Sequence, residues 1–273
     1  MSLSVNTNNG AMLALRNLNA TNTALETTNL RITTGLKVNG PKDDASTYAI
    51  AQNMRGEIAG MRAVKTALAN GAAVVNVAIE GGKSIADLLV ELKAKTVQAN
   101  QAGLDAASRT ALTNDFFALR DQIDTTVATA EFNGINLLKN GASGTTVLST
   151  VDGSTIAVSA QNMSAIFLQF GQPYADLSSS SNASQTLSLI ESATISVSDS
   201  LAALGSVARR IEVQSEFTAK LTDIQRAGVG NLVDADLAEE SANLQAQQIK
   251  QQLGVQALSI ANSSPQAILS LFG

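Results

Sequence analysis

From Ala11 to Leu36 the chain reads AMLALRNLNATNTALETTNLRITTGL. Within it Ala11, Leu15, Leu18, Asn22, Leu25, Asn29, Ile32 and Leu36 recur at alternating steps of four and three. That spacing lines the seam of a helix packed lengthwise on another helix. Asn22 and Asn29 weaken such a seam but can fix its register against a polar partner. Gly35, Gly40 and Pro41 end the helix, and Asp43-Asp44-Ala45-Ser46-Thr47 supplies carboxylates and hydroxyls to cap a new one. A paired-carboxylate catalytic site is the sharper alternative for Asp43 and Asp44, but no third polar group of catalytic capacity stands near them in sequence.

Working outward, a second seam runs from Ile50 through Met54, Ile58, Met61, Leu68, Ala72, Val75, Ile79, Ala86 and Leu89, with Lys65 and Gly82 filling two of its places. It predicts one long helix to about Ala99. Gly56, Gly60, Gly71, Gly81 and Gly82 each cost up to about 1 kcal/mol relative to Ala in a helix, so tertiary partners must hold it. Leu112, Phe116, Leu119, Ile123 and Ala130 mark a third helix folded back on the second. Asn133-Gly134 signals a turn, and the stretches 145–150 and 154–159 flank Asp152-Gly153 as a short hairpin. Ser178 to Asn182 read as a polar exposed loop.

A fourth helix is predicted from near Gln185, with Ile190, Val197, Leu201, Leu204, Ala208 and Ile211 in its seam, which then shifts to Phe217, Leu221 and Ile224. A break at Gly228-Val229-Gly230, a cap at Asp234-Ala235-Asp236, and a fifth helix with Leu237, Leu244, Ile249, Leu253 and Leu258 follow. The element order reads alike from either end, so the chain goes out and comes back. The expected fold is mainly α, a long antiparallel coiled-coil-like bundle built from both chain ends, with a small β-hairpin region in the middle.

Of the 273 residues 45% are hydrophobic but only 3% aromatic, a palette of Ala, Val, Leu and Ile that suits narrow helix seams. The chain has no Cys and no His, which removes thiolate nucleophiles, the usual general base and the commonest metal ligands. No enzyme, catalytic residue, cofactor or metal is therefore expected. A net charge of −5 without a Lys/Arg cluster argues against nucleic acid as a partner. No apolar run reaches the roughly 18 residues of a membrane span, so no membrane is expected either. Met1 to Gly10 carry neither a basic segment nor a long apolar one, which predicts either a cytoplasmic protein or export without a cleaved signal.

No charged side chain precedes Arg16, and none occurs from Gln251 to Gly273. A segment destined for burial avoids unpaired charge, which costs several kcal/mol. The final stretch carries Leu253, Val255, Leu258, Ile260, Ile268, Leu269, Leu271 and Phe272, too much apolar surface to leave in water. Both ends are expected to be disordered in a free subunit and to become helical when neighbours bury them. A head-to-tail contact that does not close then gives a helical filament.

Leu30-Arg31-Ile32-Thr33-Thr34-Gly35-Leu36-Lys37-Val38-Asn39, then Lys42-Asp43-Asp44-Ala45, resembles the N-terminal signature of bacterial flagellins. Phe132-Asn133-Gly134-Ile135-Asn136-Leu137-Leu138 is similar to that family's turn after the third helix. Asp234 to Glu240, and Ala261-Asn262-Ser263-Ser264-Pro265-Gln266-Ala267-Ile268-Leu269-Ser270-Leu271, resemble its C-terminal helix and ending. The overall pattern looks like the compact flagellins of α-proteobacteria. The resemblance implies an inner domain from residues 1–43 and 231–273, and an outer helical domain at 44–230 with a β-hairpin at about 141–182. It implies a secreted homopolymer, the extracellular flagellar filament that serves swimming motility, whose subunits are identical or paralogous. It further implies type III export as an unfolded chain, an export chaperone at the C-terminal segment, and filament cap and hook-associated proteins as partners. The inter-subunit core would use Leu15, Leu18, Asn22, Leu25, Asn29, Ile32, Leu237, Leu244, Ile249, Leu253, Leu258, Ile268, Leu269, Leu271 and Phe272. Ser178, Ser179, Ser180 and Ser181 are either a solvated loop or acceptors of O-linked sugars, as in some flagellins. A hook–filament junction protein and a coiled-coil scaffold that does not polymerise are the competing readings.

Flagellins sensed by the vertebrate innate receptor carry an Arg-Val-Arg-Glu-Leu-like run near the end of the long helix, where this chain has Glu91 for the first Arg and Ala94 for the Glu. Two charge pairings reverse or vanish. A receptor-reporter cell assay with purified protein is expected to give a weak response or none; full activation would refute this.

Overall fold

The structure, a computed structural model, describes residues 7–165, 170 and 175–272, with side chains described as far as Ser263. Its helices are α1 (Asn9–Thr34), α2 (Ala45–Ala99), α3 (Ala106–Thr129), α4 (Ser180–Val233) and α5 (Leu237–Phe272). Between α3 and α4 lie strands β1 (Glu131–Phe132), β2 (Ile135–Asn136), β3 (Thr145–Leu148) and β4 (Thr155–Val158). The chain packs into two compact units, one of residues 1–56 with 224–273 and the other of residues 57–223.

Helix boundaries follow capping chemistry. Asn8 accepts from the Ala11 amide at the start of α1, and Gly35, with φ of 71°, closes it by donating to the Arg31 carbonyl. Asp44 takes the amides of Ser46 and Thr47 at 3.0 Å each and the Thr47 hydroxyl at 2.6 Å, capping α2. Asp43 instead accepts the Asn39 and Gly40 amides and holds the turn before it. Both carboxylates are thus committed to backbone geometry. Asp105 caps α3 and Asp236 caps α5 in the same manner.

Two boundaries differ from the sequence reading. α4 starts at Ser180 rather than near Gln185, because Ser179 caps it: its carbonyl accepts the Ala183 amide and its hydroxyl accepts the Asn182 amide. Nor does α4 break at Gly228-Val229-Gly230; it continues to Val233. Burial of Val229 and Val233 outweighs the roughly 1 kcal/mol each glycine costs.

In the unit of residues 57–223, α3 returns antiparallel along α2. The Arg109 guanidinium donates to the Ala99 carbonyl, Lys95 pairs with Asp115 at 2.7 Å, and Gly81 lies against Ala130. α4 also runs antiparallel to α2: Ser180 bonds Asn100, Lys93 pairs with Glu191, Gly82 meets Leu201 and Thr222 bonds the Met61 sulfur. With partners on two sides, the buried stripe of α2 is wider than one seam. It passes through Val64, Gly71, Ala78 and Ile85, while Ala72, Ile79 and Ala86 are half-buried and Lys65 is exposed. Ile50, outside this unit, is exposed as well. On α4 the buried line continues from Ile211 to Thr218, so Phe217 and Ile224 face outward rather than extending the seam.

The β1–β2 turn places Asn133 at φ of 51° and Gly134 at 80°, the paired positive angles of a two-residue hairpin loop. The β3–β4 hairpin pairs Thr145 with Val158 through to Leu148 with Thr155 and buries Val147, Ile156 and Val158 on one face. It presses on the glycines of α2. A Cβ at Gly71 would overlap both methyls of Val147, and one at Gly60 would come within 2.8 Å of Val151.

Gly71→Ala is therefore expected to destabilise the monomer by about 1–3 kcal/mol through overpacking, with recovery in a Val147→Ala background. Gly56→Ala, which meets no atom within 4 Å, should instead stabilise by up to about 1 kcal/mol. Thermal unfolding of the variants checks both signs.

Hydrogen bonds from Thr47 hold the Asp44 carboxyl below its ordinary range, and bonds from Ser108 do the same for Asp105. A lowered folded value means the stabilisation is complete above about pH 4 and is lost as pH falls through the folded values. Melting temperature should fall with acid in that window. Asp44→Asn, which keeps a capping oxygen but cannot titrate there, should flatten part of the fall; an unchanged acid profile would count against the assignment.

Candidate assembly surface

α1 and α5 lie side by side in opposite directions, and their contacts step accordingly. The Asn8 amide donates to the Ala261 carbonyl at 2.7 Å, Gly254 sits against Leu18, the Gln251 amide donates to Asn22 Oδ1 at 2.8 Å, and Arg31 Nη1 meets Glu240 Oε1 at 2.9 Å. At the hinge end, Lys37 and Val38 donate to the Val233 carbonyl, and Ala235 donates to that of Gly35.

The faces that meet form two heptad seams. On α1 the line Ala11, Ala14, Leu18, Thr21, Leu25, Thr28 and Ile32 is less exposed, with Asn22, Ala24, Thr27 and Arg31 half-buried beside it; on α5 the less exposed positions are Glu240, Leu244, Gln247, Gln251, Gly254, Leu258 and Ala261. The seam expected on α1 is therefore shifted by one residue at two of its eight positions, Leu15 and Asn29. Ala14, Thr21 and Thr28 take the alternate places, whereas Leu15 and Asn29 are exposed. The cause is close approach: a Cβ at Gly254 would stand 3.2 Å from Leu18, and small residues fit at that spacing. Asn22 stays at the seam's edge through Gln251, and Leu36 lies past the helix end, bridged to Asp234. Of the expected α5 residues, Leu244 and Leu258 turn inward, and Leu237, Ile249 and Leu253 turn outward. Ile268, Leu269, Leu271 and Phe272 fall outside the residues whose side chains are described.

The outcome is a helix pair with a thin inner seam and further large apolar side chains left outside. Thr28 is the single buried residue of α1, while Met12 is 66% and Ile260 71% exposed, and Leu13, Leu15, Leu30, Leu253 and Val255 are also open. Met12, Leu13 and Leu30 had no signal in the seam pattern, because each falls off the repeat. Ile249, Leu253 and Ile260 belong to a second stripe on α5, displaced from the inward one by two residues and hence on its opposite side. The charge-free stretches before Arg16 and after Lys250 come together at the Asn8–Ala261 end. At the other end Glu240 is buried beside Arg31, whose Nε is enclosed without a hydrogen-bond partner. Each Leu or Ile on such a surface gains about 1.5–3 kcal/mol on full burial, so the arrangement favours association with further helices.

The serine run is built into the start of α4. Ser178 donates to Asp176, the Ser179 oxygen accepts the Asn182 amide, and Ser180 donates to Asn100. Burial opposes the charge of Asp176, but bonds from Asn182 and Ser178 outweigh it and hold the carboxyl below its ordinary range. A sugar on Ser178, Ser179 or Ser180 would displace one of these bonds; the exposed Ser181 carries none of them.

Residues 5–143 match the family model for the bacterial flagellin N-terminal helical region, and residues 187–272 match that for the C-terminal helical region. Flagellin FljK of Caulobacter vibrioides is 43% identical over 270 residues, covering 98% of each chain. A flagellin of Brucella melitensis is 34% identical over 280 residues, covering 98% of this chain and 99% of the relative. Among solved structures, the Bacillus cereus flagellin crystal structure aligns with a TM-score of 0.50 at 19% identity, over 55% of this chain and 86% of that one. A structure described as a flagellar hook-associated protein of Vibrio parahaemolyticus aligns at 0.58 and 14% identity, over 70% of this chain and all of that one. At such identities the two structures speak for the fold alone.

Proposed function

This chain belongs to the bacterial flagellin family and is a structural subunit of the flagellar filament, not an enzyme, and on that premise we propose that the outward faces of α1 and α5 form the inter-subunit core. The observation that carries the reading is a helix pair that buries only a thin seam between its own members and leaves Met12, Leu253 and Ile260 exposed on the outside. Residues 1–43 and 231–273 then serve as the inner domain and 44–230 as the outer one. In this reading α1 and α5 order as neighbours arrive, since a pair that buries so little between its own helices gains most of its stability from assembly. The charge-free C-terminal segment suits capture by an export chaperone before secretion as an unfolded chain. Filament cap and hook-associated proteins, and paralogous flagellins, would meet the same apolar faces.

The test is salt-nucleated polymerisation of purified full-length chain. Ile260→Glu and Met12→Glu each place a charge on the proposed core and are expected to raise the critical concentration at least about tenfold, since burying an unpaired charge costs several kcal/mol. Thr155→Glu, on the exposed face of β4, should leave it within about twofold. Filaments of the core variants growing at the wild-type concentration would remove the assignment.

A further inference from the structure

In the unit of residues 57–223, the β3–β4 hairpin rests on the α2–α4 pair near Gly71, and the Ser149 carbonyl accepts from Gln214 at 2.8 Å. Elsewhere on the same pair, with no hairpin residue in its lining, lies an open groove of about 570 Å³. Leu68 and Ile211 form its floor, Ala72, Gly205 and Ala208 its walls, and Glu212 and Glu216 are among its lining residues. Arg209, also in the lining, pairs with Glu212 at 2.7 Å, so the rim is acidic by the single negative charge of Glu216.

A third side of α4, about a third of a turn from Gly205 and Glu212, carries Val213 and Phe217, exposed to 53% and 57%. Phe217 is the most exposed phenylalanine among the described residues. Arg210 and Lys220, both exposed, stand on either side of this knob. Knob and groove lie at one level on different sides of one rigid helix, so they cannot meet within a chain; they can meet between two.

Resting on the filament reading, we propose that Val213 and Phe217 of one copy seat in the Leu68–Ala72–Gly205–Ala208 groove of a second copy, with Arg210 and Lys220 of the first facing the acidic rim of the second. Three features select another copy as the occupant. The apolar surfaces are complementary, a basic flank meets an acidic rim, and the charges between Leu201 and Asp223 balance. The chain's acidic excess falls between Glu80 and Asp199, where neighbouring copies repel, so close lateral approach falls to the balanced stretch. A contact between two different patches is heterologous, and where its rotation does not close it builds an open helix, as a filament requires.

The chain's lack of cysteine allows a direct test. Phe217→Cys and Gly205→Cys are combined in one full-length chain; a side chain at Gly205 meets no atom within 4 Å, and within one helix the two positions are too far apart to bridge. Oxidation of assembled filaments is expected to give a ladder of covalent oligomers, with only monomers from either single variant and dimers from their co-assembled mixture. Phe217→Asp, checked for an unchanged monomer melting curve, should raise the critical concentration about tenfold. Filaments of the double variant that yield no ladder, dimers from Phe217→Cys alone, or normal assembly of Phe217→Asp would overturn the contact while leaving the filament reading intact. Failure of the unmodified chain to polymerise would take both down together.

Discussion

The distance at which α1 and α5 approach each other governs what the rest of their surface must do. Gly254 against Leu18, and the small residues Ala11, Ala14, Thr21 and Thr28 on α1, bring the two helices close. Leu18, Leu25, Ile32, Leu244 and Leu258 fit on the meeting faces, while Met12, Leu13, Leu253 and Ile260 stay on the outer ones. A pair built this way satisfies its internal geometry while leaving its hydrophobic demand unmet. Internal alignment thus rests on a thin seam with polar contacts at Asn8, Asn22 and Gln251, and the apolar area of the outer faces is left uncovered within the chain.

The unit of residues 57–223 solves the opposite problem. Its core of Leu68, Ile85, Leu89, Phe116, Ile123, Ile190 and Val197 closes within the chain. Glycine is what lets it close. Gly60, Gly71, Gly81 and Gly82 weaken α2 as a helix, yet each receives a side chain from a hairpin or a neighbouring helix. Local propensity is given up so that a thin aliphatic palette, almost without aromatic rings, still packs densely.

Caps and turns were the parts most readable in the sequence. Asp44, Gly35, Asn133-Gly134 and Asp236 act through backbone bonds to residues one to four positions away, so local pattern suffices. The phase of the seams was less readable. Leu15 and Ala14 offer equally regular repeats, and the choice between them depends on how near the partner helix comes, which is set by Gly254 far along the chain. The same holds on α2, where a second partner draws Ala78 and Ile85 inward beside the expected Ile79 and Ala86. Gly228-Val229-Gly230 misled for a related reason: the burial that keeps the helix intact is tertiary. On the meeting faces of α1 and α5, Leu18, Leu25, Leu244 and Leu258 follow from periodicity, whereas the outward placement of Met12 and Leu13 appears only once the inward faces are known.

The hydrogen bonds that align α1 with α5 are mostly neutral. Asn8 to the Ala261 carbonyl and Gln251 to Asn22 involve no ions, and the Arg31–Glu240 pair is sheltered on the Glu240 side. Dissolved salt screens exposed charges over about 8–10 Å at common ionic strengths but has little hold on amide-to-carbonyl bonds. The stagger of the two helices within one chain thus rests on contacts that dissolved ions barely screen, which sets their alignment apart from any response of the exposed surface to ionic strength.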